Sequence, residues 1–110
     1  EFAAISDERL KQNIQNTDVV GLDVINNLRL VKFDWDETAT QNAGWSMTGH
    51  QKLGFIAQEV EEIVPEFISE DSNGFKIMGD SGFVPYLVKA VQEQQTKIQE
   101  LEARITALES

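Results

Sequence analysis

The chain has 110 residues, 41% of them hydrophobic, and carries 9 basic against 19 acidic residues, for a formal net charge of -10. This length fits one globular domain with an appendage, and the acidic balance argues against a surface that binds nucleic acid or an anionic membrane. There is no cysteine, which excludes disulfides and thiolate metal sites, and no apolar run approaches the about 20 residues that span a bilayer. We expect no cofactor, because His50 is the only histidine and no carboxylate spacing supplies it with metal-binding partners.

The N-terminal third predicts two short helices followed by a strand. Ser6 is a good N-cap, and the two acidic residues after it suit the positive end of a helix dipole, so we predict a helix over residues 6–15. A second helix is predicted over residues 18–28. Residues 30–36, LVKFDWD, alternate apolar and charged side chains, which predicts a strand with one buried face.

Between residues 37 and 82 the pattern is interrupted by many small and polar residues. Residues 37–52 have little apolar surface, and we predict a long loop of the kind that often carries function. The stretches that follow are a short apolar strand over 53–58, a helix over 59–67 ended near Pro65, a hairpin over 67–78 around Asn73-Gly74, and a turn over 79–82. We predict a modest core, because a domain this small buries a limited share of its surface.

In the last quarter of the chain the apolar residues follow a heptad repeat. Positions a and d are held by Val84, Leu87, Val91, Gln94, Ile98, Leu101, Ile105 and Leu108, with Gln94 as the one polar interruption. Lys97 and Glu102 fall at g and the following e, and Arg104 and Glu109 repeat this relation, which favours parallel in-register pairing. Residues 92–110 lack the wide apolar face of a helix that packs on its own domain, so we predict a coiled coil. Isoleucine at a with leucine at d favours a coiled coil of two helices, by the usual relation between core residues and helix number.

Ser6 and Lys11 are candidates for a nucleophile and its general base, because a lysine can activate a serine hydroxyl. In an ideal α-helix, residues five apart are separated by about 140° around the axis, from a step of about 100° per residue. This spacing makes a capped helix with a surface lysine the simpler interpretation. As an N-cap, however, Ser6 would stand outside the helix, where the long lysine side chain can fold back toward it.

The other candidates have structural interpretations of the same kind. His50 lies in the long loop, where it is either an ordinary surface residue or a proton shuttle. The carboxylates after Gln58 look like a solvated helix face; they are Glu59, Glu61 and Glu62. The polar side of the predicted strand also looks solvated; it carries Asp34 and Asp36. Three aromatic residues are assigned to the core: Trp35, Trp45 and Phe55.

Five segments occur in one order along the chain. They are SDERLK at 6–11, LRLVKFDW at 28–35, GH at 49–50, GFIAQEVEEIVPE at 54–66 and VPYLVKAVQEQQ at 84–95. Together they closely resemble the peptidase S74 family, the C-terminal intramolecular chaperone domains of bacteriophage tailspikes, tail fibres and neck appendages. The resemblance covers residues 5–95 and continues into the expected C-terminal helix, and SDERLK and GFIAQEVEE are its most specific segments.

The resemblance implies a site as well as a function. Such domains are cut just before the serine of an S-D-x-R-x-K motif, which implies cleavage between Ile5 and Ser6, with Ser6 as nucleophile and Lys11 as general base. Three residues match family motifs as supporting residues, the last two without a defined share in the chemistry: His50, Gln58 and Glu59. Direct attack on the preceding carbonyl, which suggests an N-to-O acyl shift, and attack on a neighbouring chain both stay open.

The resemblance also implies a homotrimer that assists the folding of the β-rich stem of its own polypeptide and then releases itself by single-turnover autoproteolysis. We expect an α+β fold, with a small helix and β-hairpin part followed by a long helix in a parallel trimeric coiled coil. Residues 1–5 would be a remnant of an upstream stem or of cloning, residues 6–82 the chaperone and autoprotease part, and residues 83–110 the coiled-coil helix. The expected location is the host cytoplasm during virion assembly, with the domain absent from the mature fibre.

Two other functions fit parts of the sequence. A passive trimerisation module without catalysis needs only the coiled coil and an ordinary N-cap at Ser6. A coiled-coil adaptor would bind an unrelated partner through its acidic helical tail. No nucleic-acid or membrane partner is expected in any of these cases.

Overall fold

The computed structural model of the protein describes residues 5–79 and 82–110. Within them lie four α-helices and two antiparallel sheets of two strands each, in agreement with the predicted α+β class. The predicted turn over residues 79–82 has its central Asp80 and Ser81 outside the described residues. In the described part of the chain, no helix combines the length and the apolar character that crossing a bilayer requires.

The N-terminal segment contains a single 3₁₀ turn, Glu8–Leu10, so the predicted helix over residues 6–15 is wrong. The N-cap of this turn is Asp7 and not Ser6, because the Asp7 carboxylate accepts a hydrogen bond from the backbone N–H of Arg9 at 2.8 Å. Nearly every residue of the segment is exposed. A helix of this length without a packed face is marginal in water, which explains why it stops after one turn.

The second predicted helix is confirmed but begins later, since helix α1 spans Gly21–Asn27. Its first turn is capped from a distant part of the chain. The Glu93 carboxylate accepts hydrogen bonds from the backbone N–H groups of Gly21 at 2.7 Å and Leu22 at 3.1 Å. The first N–H groups of a helix have no partner within it, so a carboxylate supplied from elsewhere fixes where α1 begins.

The predicted strand over residues 30–36 is present as the shorter strand β1, Val31–Phe33. It pairs antiparallel with strand β2, Lys52–Gly54, so that Phe33 lies opposite Lys52. The apolar residues at alternate positions are partly buried and the charged residues between them are exposed, which confirms the predicted alternation. The apolar strand predicted over 53–58 is correspondingly shorter than expected.

The predicted loop over residues 37–52 begins with a helix, α2, Glu37–Asn42, which the composition did not indicate. The Asp36 carboxylate caps this helix by accepting a hydrogen bond from the backbone N–H of Ala39 at 2.9 Å. Aspartate followed by an acidic first turn is a sequence signal for a helix start, and it overrides the polar composition that indicated a loop.

Helix α3, Ala57–Ile63, begins two residues before the predicted start and leads into a 3₁₀ turn, Pro65–Phe67. The predicted hairpin then follows as strands β3, Ile68–Glu70, and β4, Lys76–Met78, and is thereby confirmed. Gly74 supplies the left-handed backbone of the turn, with φ of +85°.

Helix α4 spans Phe83–Glu109, so the long C-terminal helix is confirmed. Its first half packs against α1 in the most extensive contact between described elements. Gly21 allows this approach, because a Cβ atom at this position would lie 2.5 Å from the carbonyl oxygen of Tyr86 and 2.6 Å from the backbone nitrogen of Ala90. Beyond the α1 contact, residues 94–110 are exposed all around the helix.

The core of the described residues is small and lies where α3, the 3₁₀ turn after it and the start of α4 meet. Its buried apolar side chains are Val60, Val64, Phe83 and Ala90. The Phe83 ring packs against the rings of Phe55 and Phe67, with centroid separations of 5.3 and 4.9 Å. Aromatic pairs at such distances add to the burial of apolar area, and they tie α4 to the small elements before it.

The close approach at Gly21 predicts that Gly21→Ala lowers the free energy of unfolding by about 1–3 kcal/mol, because the added methyl group meets backbone atoms of α4. Gly79→Ala is the matched control, since no atom lies within 4 Å of its added Cβ. Urea unfolding followed by circular dichroism measures both. Equal stability of the two variants would contradict a tight α1–α4 contact.

Candidate active site

The SDERLK segment forms a compact turn in which the charged and polar side chains pair with one another. The Arg9 guanidinium donates to both carboxylate oxygens of Asp7, at 2.9 to 3.3 Å, while the same carboxylate accepts the Arg9 backbone N–H. The side-chain and backbone hydrogen bonds from Arg9 hold the pKa of Asp7 below its usual value. Asp7 is therefore ionised at neutral pH and closes the turn.

This turn brings Ser6 and Lys11 together. The Lys11 Nζ donates to the Ser6 Oγ at 2.6 Å, which is a short hydrogen bond. The angular argument against this pair assumed an α-helix, but the residues lie on either side of one 3₁₀ turn, and Lys11 is extended, with φ of -116° and ψ of 151°. A serine and a lysine in this contact have the geometry of a nucleophile and its base.

Ser6 and Lys11 are both exposed to solvent in the single chain. They lie in an irregular segment, residues 5–20, which we call the arm. The apolar residues of the arm are exposed as well: 83% of Ile5, 71% of Leu10 and 66% of Ile14 is accessible. Apolar side chains this exposed on an irregular segment form a surface that no part of residues 5–79 and 82–110 covers.

His50 belongs to a second cluster, at the start of β2. Its Nδ1 lies 3.6 Å from the Asp34 Oδ1, which also accepts the backbone N–H of Gln51 at 2.7 Å. The loop is fixed further by a hydrogen bond from the backbone N–H of Trp35 to the carbonyl of Gly49 at 3.0 Å. Among the described residues, neither member of the Ser6–Lys11 pair is hydrogen-bonded to His50.

Glu59 is engaged by Arg29 rather than by the arm. The Arg29 Nη2 and Nε donate to the two carboxylate oxygens at 2.6 and 3.0 Å. The hydrogen bonds and charge of Arg29 hold the pKa of Glu59 below its usual value, with burial acting in the opposite direction. Glu59 is thus a carboxylate at neutral pH and not a proton donor, and Gln58 beside it on α3 is exposed.

Glu61, another of the acidic candidates, also has a structural partner, while Glu62 is exposed. Glu61 and Glu70 both accept hydrogen bonds from Lys76, at 3.1 and 2.8 Å, which joins α3 to the hairpin. In the part of the chain that the structure describes, no three histidine or carboxylate side chains group in a way that could hold a metal ion.

Of the three aromatic residues assigned to the core, two are partly buried and contact other rings. Phe55 packs on Phe83, and Trp35 is half-buried against Phe33 with a centroid separation of 5.0 Å. Trp45 is 47% exposed, so placing it in the core is wrong. Its indole N–H donates to Asp71 at 3.1 Å, and this bond holds the ring at the surface. That carboxylate also accepts the backbone N–H groups of two residues in the hairpin turn.

The chain belongs to the peptidase S74 family. The family model, whose description is chaperone of endosialidase, matches residues 6–69, which is more than half of the chain. The match begins at Ser6 and ends in β3, so it includes the Ser6–Lys11 turn, the His50 loop and α3. It identifies a peptidase-related chaperone domain and confirms the family resemblance.

Sequence reasoning missed three of the side chains that hold these groups in place. Asp7 closes the turn that joins Ser6 to Lys11, Asp34 orders the His50 loop, and Arg29 engages Glu59. For Asp7 a signal was present, because aspartate is as good an N-cap as serine. The other two contacts join residues far apart in sequence, and no local pattern indicates them.

The Arg29–Glu59 pair predicts a pH dependence. Because the folded-state pKa of Glu59 is lowered, its contribution to stability is present above the unfolded-state pKa of about 4.3 and is lost as the pH falls through the folded-state value. Arg29→Gln should therefore raise the Glu59 midpoint in a carboxyl NMR titration and destabilise the protein at pH 7 but not at pH 2.

Arg9→Gln is the control for this titration, because it removes the same charge but pairs with Asp7 instead. It should leave the Glu59 midpoint unchanged. A Glu59 midpoint that is insensitive to Arg29→Gln would show that the ion pair does not form in solution.

Proposed function

We propose that this chain is a self-cleaving C-terminal intramolecular chaperone. It trimerises a phage fibre or tailspike polypeptide, assists the folding of the β-rich stem, and is released by autoproteolysis between Ile5 and Ser6. The observation that carries the proposal is the 2.6 Å contact between Lys11 Nζ and Ser6 Oγ, in a chain of the peptidase S74 family.

The proposed chemistry is an acyl transfer within the turn. The neutral Lys11 amine takes the proton of the Ser6 hydroxyl as Oγ attacks the carbonyl carbon of Ile5. The Ile5–Ser6 C–N bond then breaks, and the lysine returns the proton to the departing Ser6 amine. Water hydrolyses the resulting ester, which leaves a carboxylate at Ile5 and frees the Ser6 hydroxyl. Since all groups belong to one turn, positioning supplies much of the acceleration.

The base needs a shielded environment, because a lysine is an effective proton acceptor when it is removed from water. The arm is exposed in the single chain, with its apolar residues uncovered. We propose that the folded stem or a neighbouring copy covers the arm and thereby completes the site. Cleavage would then follow assembly instead of preceding it.

Self-association is proposed to run along α4. Its apolar heptad residues are between 45% and 86% exposed in the single chain, and nothing in the described part of the chain covers residues 94–110. We call the row of a and d residues along α4 the seam. An isolated helix that projects this far requires partner helices to bury its seam. The resemblance to family members supports three copies, although the a and d residues by themselves favour two.

A C-terminal trimerisation domain would solve a physical problem in the folding of the stem. Three chains wound into a β-rich stem make contacts between residues far apart, and aligning their ends costs entropy before any contact forms. A C-terminal trimer fixes the register and raises the effective concentration of the chains. Its later removal leaves the fibre kinetically trapped. The proposed setting is the host cytoplasm during virion assembly, with the domain absent from the mature fibre.

The second candidate is a passive trimerisation module without catalysis. The observation that favours it is the exposure of Ser6 and Lys11, since a surface contact between a serine and a lysine forms without any catalytic role. The two functions differ in a single property, the covalent state of the chain after assembly.

In a longer polypeptide that carries this chain behind its stem, we expect cleavage into two fragments, the smaller beginning at Ser6. Ser6→Ala should remain full length while still trimerising, because it lacks the nucleophile. Lys11→Ala should slow cleavage by at least about 100-fold, the usual contribution of a general base. Intact mass spectrometry over time measures all three.

Lys11→Arg is the matched control for the base. Arginine keeps the charge and can donate to Ser6, but it cannot lose its proton. Full cleavage of Lys11→Arg would contradict a general-base role, as would cleavage of Ser6→Ala at the normal rate. Uncleaved wild-type chains in a native trimer would favour the passive module. Trapping of an Ile5 hydroxamate by hydroxylamine would identify the ester.

Assembly dependence gives a further prediction. Ile98→Glu places a charge in the proposed seam at a position that is 50% exposed in the single chain, so it should spare the fold but abolish trimers. Cleavage should slow in parallel if a neighbouring copy shields the site. Gln99→Glu, on the exposed side of α4, is the control. Native mass spectrometry measures both readouts, and monomers of Ile98→Glu that cleave at the wild-type rate would contradict the coupling.

A further inference from the structure

An apolar groove lies beside the first turns of α4. It has a volume of about 420 Å³ and is lined by Ile25, Leu28, Leu30, Phe55, Phe83 and Leu87. Leu30 at its rim is 62% exposed, and Leu87 is 45% exposed. An apolar groove that opens at the surface of a chain is a typical site for another surface to cover.

The groove is continuous with the proposed seam of α4. Leu87 holds a d position of the heptad and also lines the groove, while Phe83 holds the g position before it. The groove therefore opens on the g side of the seam. In a parallel coiled coil, a g residue lies beside the e residue five positions further along the neighbouring helix.

The e residue that corresponds to Phe83 is Val88. It is 51% exposed, although it is aliphatic and lies in the first two turns of α4 beside the small core. The same relation between g and e joins charged residues near the C-terminus, Lys97 with Glu102 and Arg104 with Glu109. The pairing surface thus changes from charged at the free end of α4 to apolar at the groove.

Val88 does not fill the groove of its own chain. It stands about 140° around the helix from Phe83, from a step of about 100° per residue, so the two lie on opposite flanks of α4. Helix α1 packs on the side of α4 that carries Tyr86, Ala90 and Glu93. That contact buries Ala90, which holds the second g position, but it leaves the a and d residues, the e flank with Val88 and the mouth of the groove open to another copy.

We propose that Val88 of one copy packs into the groove of the next copy, around a parallel assembly of α4 helices. This rests on the parallel self-association proposed above and adds a specific contact to it. The globular part then contributes directly to the interface, through Leu30 and Phe55, in addition to the a and d seam. The base of α4 then carries an interface that the a and d residues alone do not describe.

The absence of cysteine makes cross-linking a clean test. In the full chain, Val88→Cys combined with Leu30→Cys should yield covalent multimers up to the trimer with a short bismaleimide. The control combines Leu30→Cys with Gln92→Cys, which is on the outer side of α4 and exposed. All three positions are exposed in the single chain, so these variants should fold normally.

A second measurement uses Val88→Glu against Gln92→Glu, which add the same charge four residues apart. A carboxylate in an apolar groove is unfavourable, so Val88→Glu should raise the concentration at which the assembly dissociates by at least about 10-fold, and Gln92→Glu should not. Sedimentation equilibrium measures both.

The outcomes separate this contact from self-association itself. If the wild-type chain is a trimer but the Val88 pair cross-links no better than the Gln92 control, the groove contact is wrong and the coiled coil stands. The same conclusion follows if Val88→Glu and Gln92→Glu dissociate alike. A wild-type chain that sediments as a monomer at high concentration would remove both proposals.

Discussion

The contact between α1 and α4 is the constraint on which the rest of the molecule depends. Gly21 permits backbone-to-backbone approach, and the Glu93 carboxylate accepts two N–H groups that would otherwise be unpaired at the start of α1. Because the arm ends where α1 begins, this contact also anchors the chain that carries Ser6. The same side of α4 is thereby occupied, which leaves the opposite side for other copies. One close contact thus defines both where the candidate site is attached and which face of the long helix stays open.

The two parts of the candidate site are held in different ways. The Ser6–Lys11 pair is local, since a turn closed by Asp7 and Arg9 places the two side chains in contact without help from the core. His50 and Glu59 instead depend on strand pairing and on α3, through residues distant in sequence. The family match includes both parts, but the single chain does not join them by hydrogen bonds among the described residues. Completion of the site is therefore assigned to the assembled state in our proposal.

Local patterns predicted the elements whose structure is locally determined. The Asn73-Gly74 hairpin, the alternation of Val31 and Phe33 with exposed charges, and the long helix from Phe83 follow from turn geometry and apolar spacing. The helix over residues 6–15 failed because propensity and a cap do not stabilise a helix that packs on nothing. The same wrong helix made contact between Ser6 and Lys11 look unfavourable, because residues five apart in an α-helix point in different directions. The Glu93 cap and the Arg29 ion pair cross the fold, and a sequence carries no local sign of them.

The small core has a consequence for the lifetime of the protein. With four buried apolar side chains in the described residues, a single copy retains little of the apolar burial that usually stabilises a domain of this length. Most of its stability would then come from association, and stability that comes from association varies with concentration. Once synthesis of a protein stops, cell growth lowers its concentration. Under the proposed cleavage and self-association, a released domain would dissociate as its concentration falls, and its separated chains would be open to proteolysis. Its persistence would then be limited without any dedicated signal for degradation.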